Sequence, residues 1–171
     1  MKVKVLKFGG TSVGSPEAIR RSASIISDWS KKYKVIAILS AMSGETDRLI
    51  KLTKIFSKSP NSMDYDNAIS TGENVSCSLM SIYLNSIKIK SRSLLSWQIP
   101  IKTSIEHMKS RILSIDQDKI FKELQDYNVL LIPGFHPPPL PLPLLDPPPQ
   151  PRPQHPQPLD HSAQHHHSLR R

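Results

Sequence analysis

From its N-terminus the chain alternates apolar and charged positions over Val3–Lys7, then meets Phe8-Gly-Gly-Thr-Ser-Val-Gly14. The alternation predicts a short strand and the glycines its end. Ser15 is placed to cap a helix that opens with Pro16 and Glu17. Ala18, Ile19, Ser22, Ala23, Ile26 and Trp29 then recur at helical spacing to about Ser30. Val35–Leu39 is a continuous apolar run of strand length, the pattern of a strand covered on both faces. Ser40-Ala-Met-Ser-Gly44 interrupts it, and a second helix is predicted over Glu45–Phe56. A longer helical pattern covers Asp64–Ile87, short strands are predicted at Ile87–Leu95 and Ile99–Lys102, and Asp116–Asp126 reads as a helix. Val129–Ile132 is another buried strand, ending at Pro133-Gly134-Phe135. Strands alternating with helices in this order predict an α/β layer fold with a largely parallel sheet.

Composition divides the chain. Twelve of the 16 prolines and six of the seven histidines fall in residues 136–171, which contain no Lys, Ile or Gly; the first 135 residues hold 15 Lys and 18 Ile. Residues 1–135 are therefore expected to form the core-bearing domain, and 136–171 a disordered or polyproline-like Pro/His-rich tail. Such a switch, from A-initial to C-initial codons, is expected of out-of-frame sequence. The formal charge of +9 would suit an anionic ligand, but the lysines are scattered and no aromatic run accompanies them. No nucleic acid is expected as partner, and no membrane, since no apolar run reaches the roughly 18–20 residues of a span. A lone Cys77 forms no internal disulfide, and the N-terminus lacks a signal-peptide core, so a cytoplasmic location is expected.

Three places could carry chemistry. Gly9-Gly10 lies between a strand and a helix start, where backbone N–H groups can approach an anion, with Lys7 as a mobile cation beside them. The spacing is neither G-x-x-x-x-G-K nor G-x-G-x-x-G, so a phosphate cradle and a plain tight turn both stand as readings. Ser40–Gly44 is a second small-residue loop after a strand, either the other wall of a shared crevice or a simple reversal. Glu73 falls at helical phase inside the apolar stripe of Ile69, Met80, Tyr83, Leu84 and Ile87, next to Gly72. A buried carboxylate needs a partner, so either something approaches closely here and Glu73 contacts a ligand, or the helix breaks near Thr71 and frees it. Cys77 reads as an inert buried thiol, and Trp29 and Trp97 as packing residues. The histidine cluster at 165–167 reads as solvated, so no metal site is expected.

Lys7-Phe-Gly-Gly-Thr-Ser12, Ser40-Ala-Met-Ser-Gly-Glu-Thr-Asp47, Ser70-Thr-Gly-Glu73 and Ser93…Trp97-Gln98, in this order, closely resemble the aspartokinases of the amino-acid-kinase superfamily. The resemblance implies an amino-acid-kinase-like α/β/α sandwich that transfers the γ-phosphoryl of ATP, with Mg, to L-aspartate, giving 4-phospho-L-aspartate, the first step toward lysine, threonine, methionine and diaminopimelate. Carried over by motif, Lys7 is catalytic, Lys7, Phe8, Gly9 and Gly10 bind the ATP phosphates, and Ser40, Thr46 and Glu73 bind the substrate. Gly134-Phe135 resembles a loop at the edge of that pocket. L-aspartate and ATP are the implied small-molecule partners, with a homo-oligomer allowed for the parent family. The family's next segment, Gly-Arg-Gly-Gly-Ser-Asp, does not follow Phe135. The expectation is thus an N-terminal part of the catalytic domain, inactive alone and marginally folded because apolar faces stay uncovered. The alternative is a non-catalytic remnant that pairs with another chain or presents the proline-rich tail.

Overall fold

The computed structural model describes residues 1–95, 98, 99 and 111–134, and the backbone of 101–103. Ser96, Trp97, Phe135 and the 136–171 tail, with the expectations placed on them, lie outside the described residues. The element order is β1 (Val3–Phe8), a 3-10 turn (Gly10–Val13), α1 (Pro16–Ser30), β2 (Lys34–Leu39), α2 (Glu45–Phe56), α3 (Ser62–Ser86), β3 (Ser91–Ser93), β4 (Ile101–Thr103), β5 (Ile112–Ile115), α4 (Gln117–Asp126) and β6 (Val129–Pro133).

Four strands form a parallel sheet in the order β1-β2-β6-β3, while β4 and β5 pair antiparallel in a separate ribbon. Side chains from the two faces of the large sheet enter two cores. Leu6 and Phe8, Val35, Ala37 and Leu39, and Val129 and Leu131 pack with Ile19, Ala23 and Ile26 of α1 and Cys77, Met80 and Leu84 of α3. Val3, Ile36, Ile38, Leu130 and Ile132 face the other way, onto Ile120 and Leu124 of α4 with Leu94 and Ile99. Helices thus cover both faces, giving an α/β/α sandwich. Val129–Pro133 is buried throughout, as expected of a strand between two neighbours, whereas β2 alternates buried and half-buried residues. In the four-stranded sheet, Val5 of edge strand β1 is the one exposed large apolar side chain among the described residues. Apolar exposure falls instead on the outer faces of the helices and on β5, not on a bare sheet face.

The helix starts have local causes. Ser15 Oγ accepts from Ala18 N at 3.2 Å ahead of Pro16, Asn61 caps α3 through Met63 N, and Asp116 caps α4 through Lys119 N. The strand expected at Ile87–Leu95 is shorter. Ile87 closes α3 by donating to Tyr83 O, Lys88 has a positive φ of 67°, and pairing begins only at Ser91. Asn85 then locks that strand to α3. Its Nδ2 donates to Ser81 O (2.9 Å) and Ser91 O (3.0 Å), and its Oδ1 accepts from Ser91 N (3.1 Å). Ile87, expected in the apolar stripe, lies past the helix end and is exposed. Trp29, read as a packing residue, is 37% exposed and tilted 5.6 Å from the Tyr33 ring, with Lys4 Nζ 4.4 Å from its centroid.

Candidate functional site at the carboxyl ends of the strands

Parallel pairing in register brings the carboxyl ends of β1, β2 and β6 level, with Phe8 beside Leu39 and Leu39 beside Pro133. Open parallel sheets bind ligands at this edge. Two hydrogen bonds tie the exits together: Ser40 N donates to Phe8 O at 3.1 Å, and Gly134 N to Leu39 O at 3.1 Å. Ser40 is half-buried at this junction.

The loop after β1 and the loop after β2 pack directly on one another. A β-carbon on Gly10 would stand 3.0 Å from Ala41 O, and one on Gly14 would stand 3.0 Å from both Gly10 O and Ser43 Cβ. Any side chain at either position would push the loops apart. Gly9 is different: a β-carbon there would meet nothing within 4 Å, and the residue is exposed. The backbone at Gly9 is therefore open on the side where an anionic group could approach, and the residues present fit a phosphate at this loop. Lys7 is exposed at the end of β1, paired with Ile38 and on the α4 side of the sheet.

The helix that follows this loop does not lend its end to the site in the way the sequence suggested. A 3-10 turn intervenes, and the first turn of α1 is satisfied by Ser15 and by Glu17. Glu17 is held below the usual carboxylate range by its own backbone N–H and then by the Ser15 hydroxyl. The start of α2 is open by contrast. Its cap is Gly44 at φ 79°, with no side-chain cap, and Thr46 stands exposed in the first turn. Glu45 does not occupy that end. Its carboxylate accepts from Arg48 Nε and Nη2, both at 2.8 Å, a pair that lowers its pKa chiefly through the hydrogen bond.

Glu73 sits on an unbroken α3, which removes the reading of a helix break near Thr71. The cause of the glycine beside it is internal packing: a β-carbon on Gly72 would lie 3.1 Å from Ala41 Cβ, 3.2 Å from Glu45 Cγ and 3.3 Å from Leu49 Cδ1. What approaches Gly72 is the β2 exit loop and α2, not a ligand. That close approach still brings α3 to the strand ends, and the half-buried Glu73 reaches them. Its Oε2 lies 3.7 Å from the place of a Gly134 β-carbon, a point only 3.4 Å from Ile38 Cγ2. Ile38 in turn pairs with Lys7. The structure thus brings Lys7, Gly9, Gly10, Ser40, Thr46 and Glu73 to one edge. Sequence reasoning missed the interlocking of Gly14 with Ser43, whose signal is a third glycine in the first loop; Gly134, which the family resemblance set at the pocket's edge, stands beside Glu73. Cys77, one turn on from Glu73, is fully buried, and burial followed by the Glu73 charge pushes its thiol far up. Among the described residues no group of three His, Cys, Asp or Glu is placed to hold a metal, and no helix is long and apolar enough to cross a membrane.

Residues 2–141 match the model of the amino acid kinase family. An aspartokinase of Geobacillus stearothermophilus is 38% identical over 136 residues, covering 79% of this chain and 33% of its own length. The aspartate kinase of Synechocystis superposes with a TM-score of 0.62 at 28% identity, over 78% of this chain and 21% of that one. E. coli aspartokinase III, solved in complex with aspartate and ADP, gives 0.59 at 17% identity over 77% and 40%, a likeness of fold alone. The chain spans about a third of the length of the curated relatives it matches.

Proposed function

The chain belongs to the amino acid kinase family, and on that premise we propose that it supplies the acceptor and phosphate-binding edge of an aspartate kinase, which transfers the γ-phosphoryl of ATP to the side-chain carboxylate of L-aspartate. The observation that carries this reading is the meeting, at one sheet edge, of an exposed lysine, an open glycine loop, an uncapped helix start and a half-buried glutamate.

Each residue has a role that follows from charge. Both reactants are anions, so the reaction needs cations and N–H donors placed where negative charge gathers, and no covalent step on the protein. A carboxylate oxygen of aspartate forms the new bond to the γ-phosphorus, the bond from that phosphorus to the bridging oxygen breaks, and ADP leaves with the electron pair. Gly9, with nothing within 4 Å of where a β-carbon would stand, leaves room for a phosphate to approach the loop, and the backbone N–H groups of Gly9 and Gly10 are its donors in this reading. Lys7 moves with the transferring charge. Thr46, in the uncapped first turn of α2, suits the α-carboxylate of the acceptor, and Glu73 suits its ammonium group. Ser40 holds the β1 and β2 exits together between them. Magnesium would arrive with the nucleotide and offset phosphate charge there.

A chimera tests the reading. Residues 1–134 replace the matching segment of the Geobacillus aspartokinase, and aspartate-dependent ADP release is followed. Turnover with aspartate, lost on Lys7→Ala, is expected. A folded chimera that turns over equally well with Lys7→Ala, or that ignores aspartate, would overturn the assignment.

A further inference from the structure

Cations that lie scattered along the sequence are gathered by the fold at the amino edge of the sheet, opposite the strand-end site. Parallel pairing sets Val3 beside Lys34, and both Val35 and Ser91 beside Val129, so the entries to the four strands lie level. Lys34 N donates to Lys2 O at 3.0 Å and Asn128 N to Lys90 O at 2.8 Å, which ties those entries into one row. Neighbouring strands stand about 4.8 Å apart, so the row is about 14 Å wide. Lys31 and Lys32 stand exposed on the turn before β2, and Lys88 and Lys90 on the turn before β3. Tyr127, before β6, collects three cations. Lys34 Nζ donates to its carbonyl at 2.9 Å, and Lys90 Nζ and Arg92 Cζ lie 5.5 and 5.6 Å from its ring centroid. At the β1 end of the row, Lys4 stands over the exposed Trp29, whose ring neighbours Tyr33. Among the described residues, the helix ends that lead into these turns carry the carboxylates Asp28, Glu123 and Asp126; Asp28 is paired with Lys31 and Glu123 with Arg92.

We propose that this edge binds a single-stranded nucleic acid, its cations neutralising successive phosphates and Trp29 stacking on a base. The kind of cation selects phosphate over carboxylate. All but one are lysines, point charges that suit phosphate, whereas carboxylates favour the planar fork of arginine. The one arginine, Arg92, is already held by Glu123 at 2.7 Å. The aromatic rings then select the polymer. Cations interleaved with Trp29, Tyr33 and Tyr127 are the combination that holds a single strand, its backbone on the charges and its bases on the rings. A bilayer calls instead for an apolar face to insert beside the charges, and the turns before β2 and β6 expose no large aliphatic side chain. The expectation of no nucleic-acid partner rested on lysines dispersed in sequence, whereas their meeting at one edge comes from the topology. A mononucleotide releases too few counterions to be held here at moderate salt, so the strand-end site keeps its own ligand. The proposal does not depend on the kinase reading.

Fluorescence anisotropy of a labelled single strand of about 12 nucleotides, a length one small binding fold covers, tests the proposal when the full chain is titrated in. Binding is expected, with log K falling against log salt at a slope of about −3, as for about four neutralised phosphates. Lys32→Glu with Lys90→Glu, both exposed positions, is expected to weaken binding roughly 10-fold or more. Trp29→Ala is expected to weaken it by about 5-fold or more through lost stacking. Lys51→Glu with Lys54→Glu changes the net charge equally on α2, which leaves from the carboxyl edge. That pair is expected to shift affinity less than about two-fold, because exposed charges so distant are screened. Equal weakening by the two charge reversals would show that net charge alone attracts the strand and would overturn the proposal. A chain that leaves the anisotropy unchanged would overturn it too. So would retention on vesicles of phosphatidylcholine with phosphatidylserine in the absence of oligonucleotide binding, by making the edge a membrane surface.

Discussion

Gly72 of α3 lies against Ala41 of the β2 exit loop so closely that a β-carbon would stand 3.1 Å from the alanine methyl. This contact sets the height of α3 over the sheet edge and, one residue on, the position of Glu73. Gly72→Ala gains helix propensity of about 1 kcal/mol. It also forces Ala41, Glu45 and Leu49 to give way, at about 1–3 kcal/mol for an overpacked contact. The expected net effect is destabilisation of about 1 kcal/mol, and several times that for Gly72→Val, read from urea unfolding midpoints. A stabilised Gly72→Ala would show that the loop and α2 yield freely.

Lys7 and Glu73 are expected to fail in different ways in the chimeric enzyme. Lys7→Ala should lower kcat by about 10²–10³, the usual loss for a donor that acts on developing charge. Glu73→Gln should act mainly on the KM for aspartate, because it removes a partner for an ammonium group present before and during transfer. Steady-state kinetics with each substrate varied in turn distinguish the two patterns. Equal loss of kcat in both would deny Glu73 its binding role.

Asn85 closes three hydrogen bonds between the end of α3 and the start of β3. Asn85→Ala leaves Ser91 N and Ser91 O without that partner. A loss of about 1–3 kcal/mol is expected, measured by thermal or urea unfolding, with β3 amides showing the largest rise in hydrogen exchange.

The Cys77 thiol should be silent. Burial raises its pKa and its side chain is fully enclosed, so thiol reagents are expected to modify the native chain hardly at all at pH 8 and promptly in denaturant. Prompt native-state labelling would mean that α3 lifts from the sheet.

Acid should loosen the start of α2 late. Glu45 has its folded pKa depressed by the Arg48 hydrogen bond. The stability it contributes is present above the ordinary carboxylate pKa and is lost as pH falls through the lower folded value. The pair is largely exposed, so the effect is small. Amide exchange at Arg48 should rise only below the ordinary carboxylate range, and Glu45→Gln should abolish that dependence.

Much of the fold was legible because short-range chemistry and packing agree. Ser15-Pro16 marks the start of α1, Gly44 starts α2, and the apolar run at Val129–Ile132 is a strand buried from both sides. What escaped depended on distant partners. Ile112–Ile115 pairs with Ile101–Thr103 and is exposed at every position, so no buried face imposes an alternating pattern on it. The break at Lys88 is a backbone reversal made by a residue type that seldom takes positive φ. At the site, the residue types around Gly9 and Glu73 suggested anion and ligand contacts, but the reason for Gly72 lay 31 residues upstream, in Ala41. The helix end expected to serve the phosphates proved self-capped, and the open one belongs to α2.

The central claim is that the loops after β1 and β2 and Glu73 form one site for a nucleotide's phosphates and an acidic amino acid. The most direct measurement is an amide NMR titration of the full chain, first with Mg-ADP and then with L-aspartate. Mg-ADP is expected to move the resonances of Gly9 and Gly10, and aspartate those of Thr46, Glu73 and Gly134, with the second set unmoved in Glu73→Gln. Shifts absent from both loops, or gathered instead on the lysines at the other end of the sheet such as Lys34 and Lys90, would contradict it.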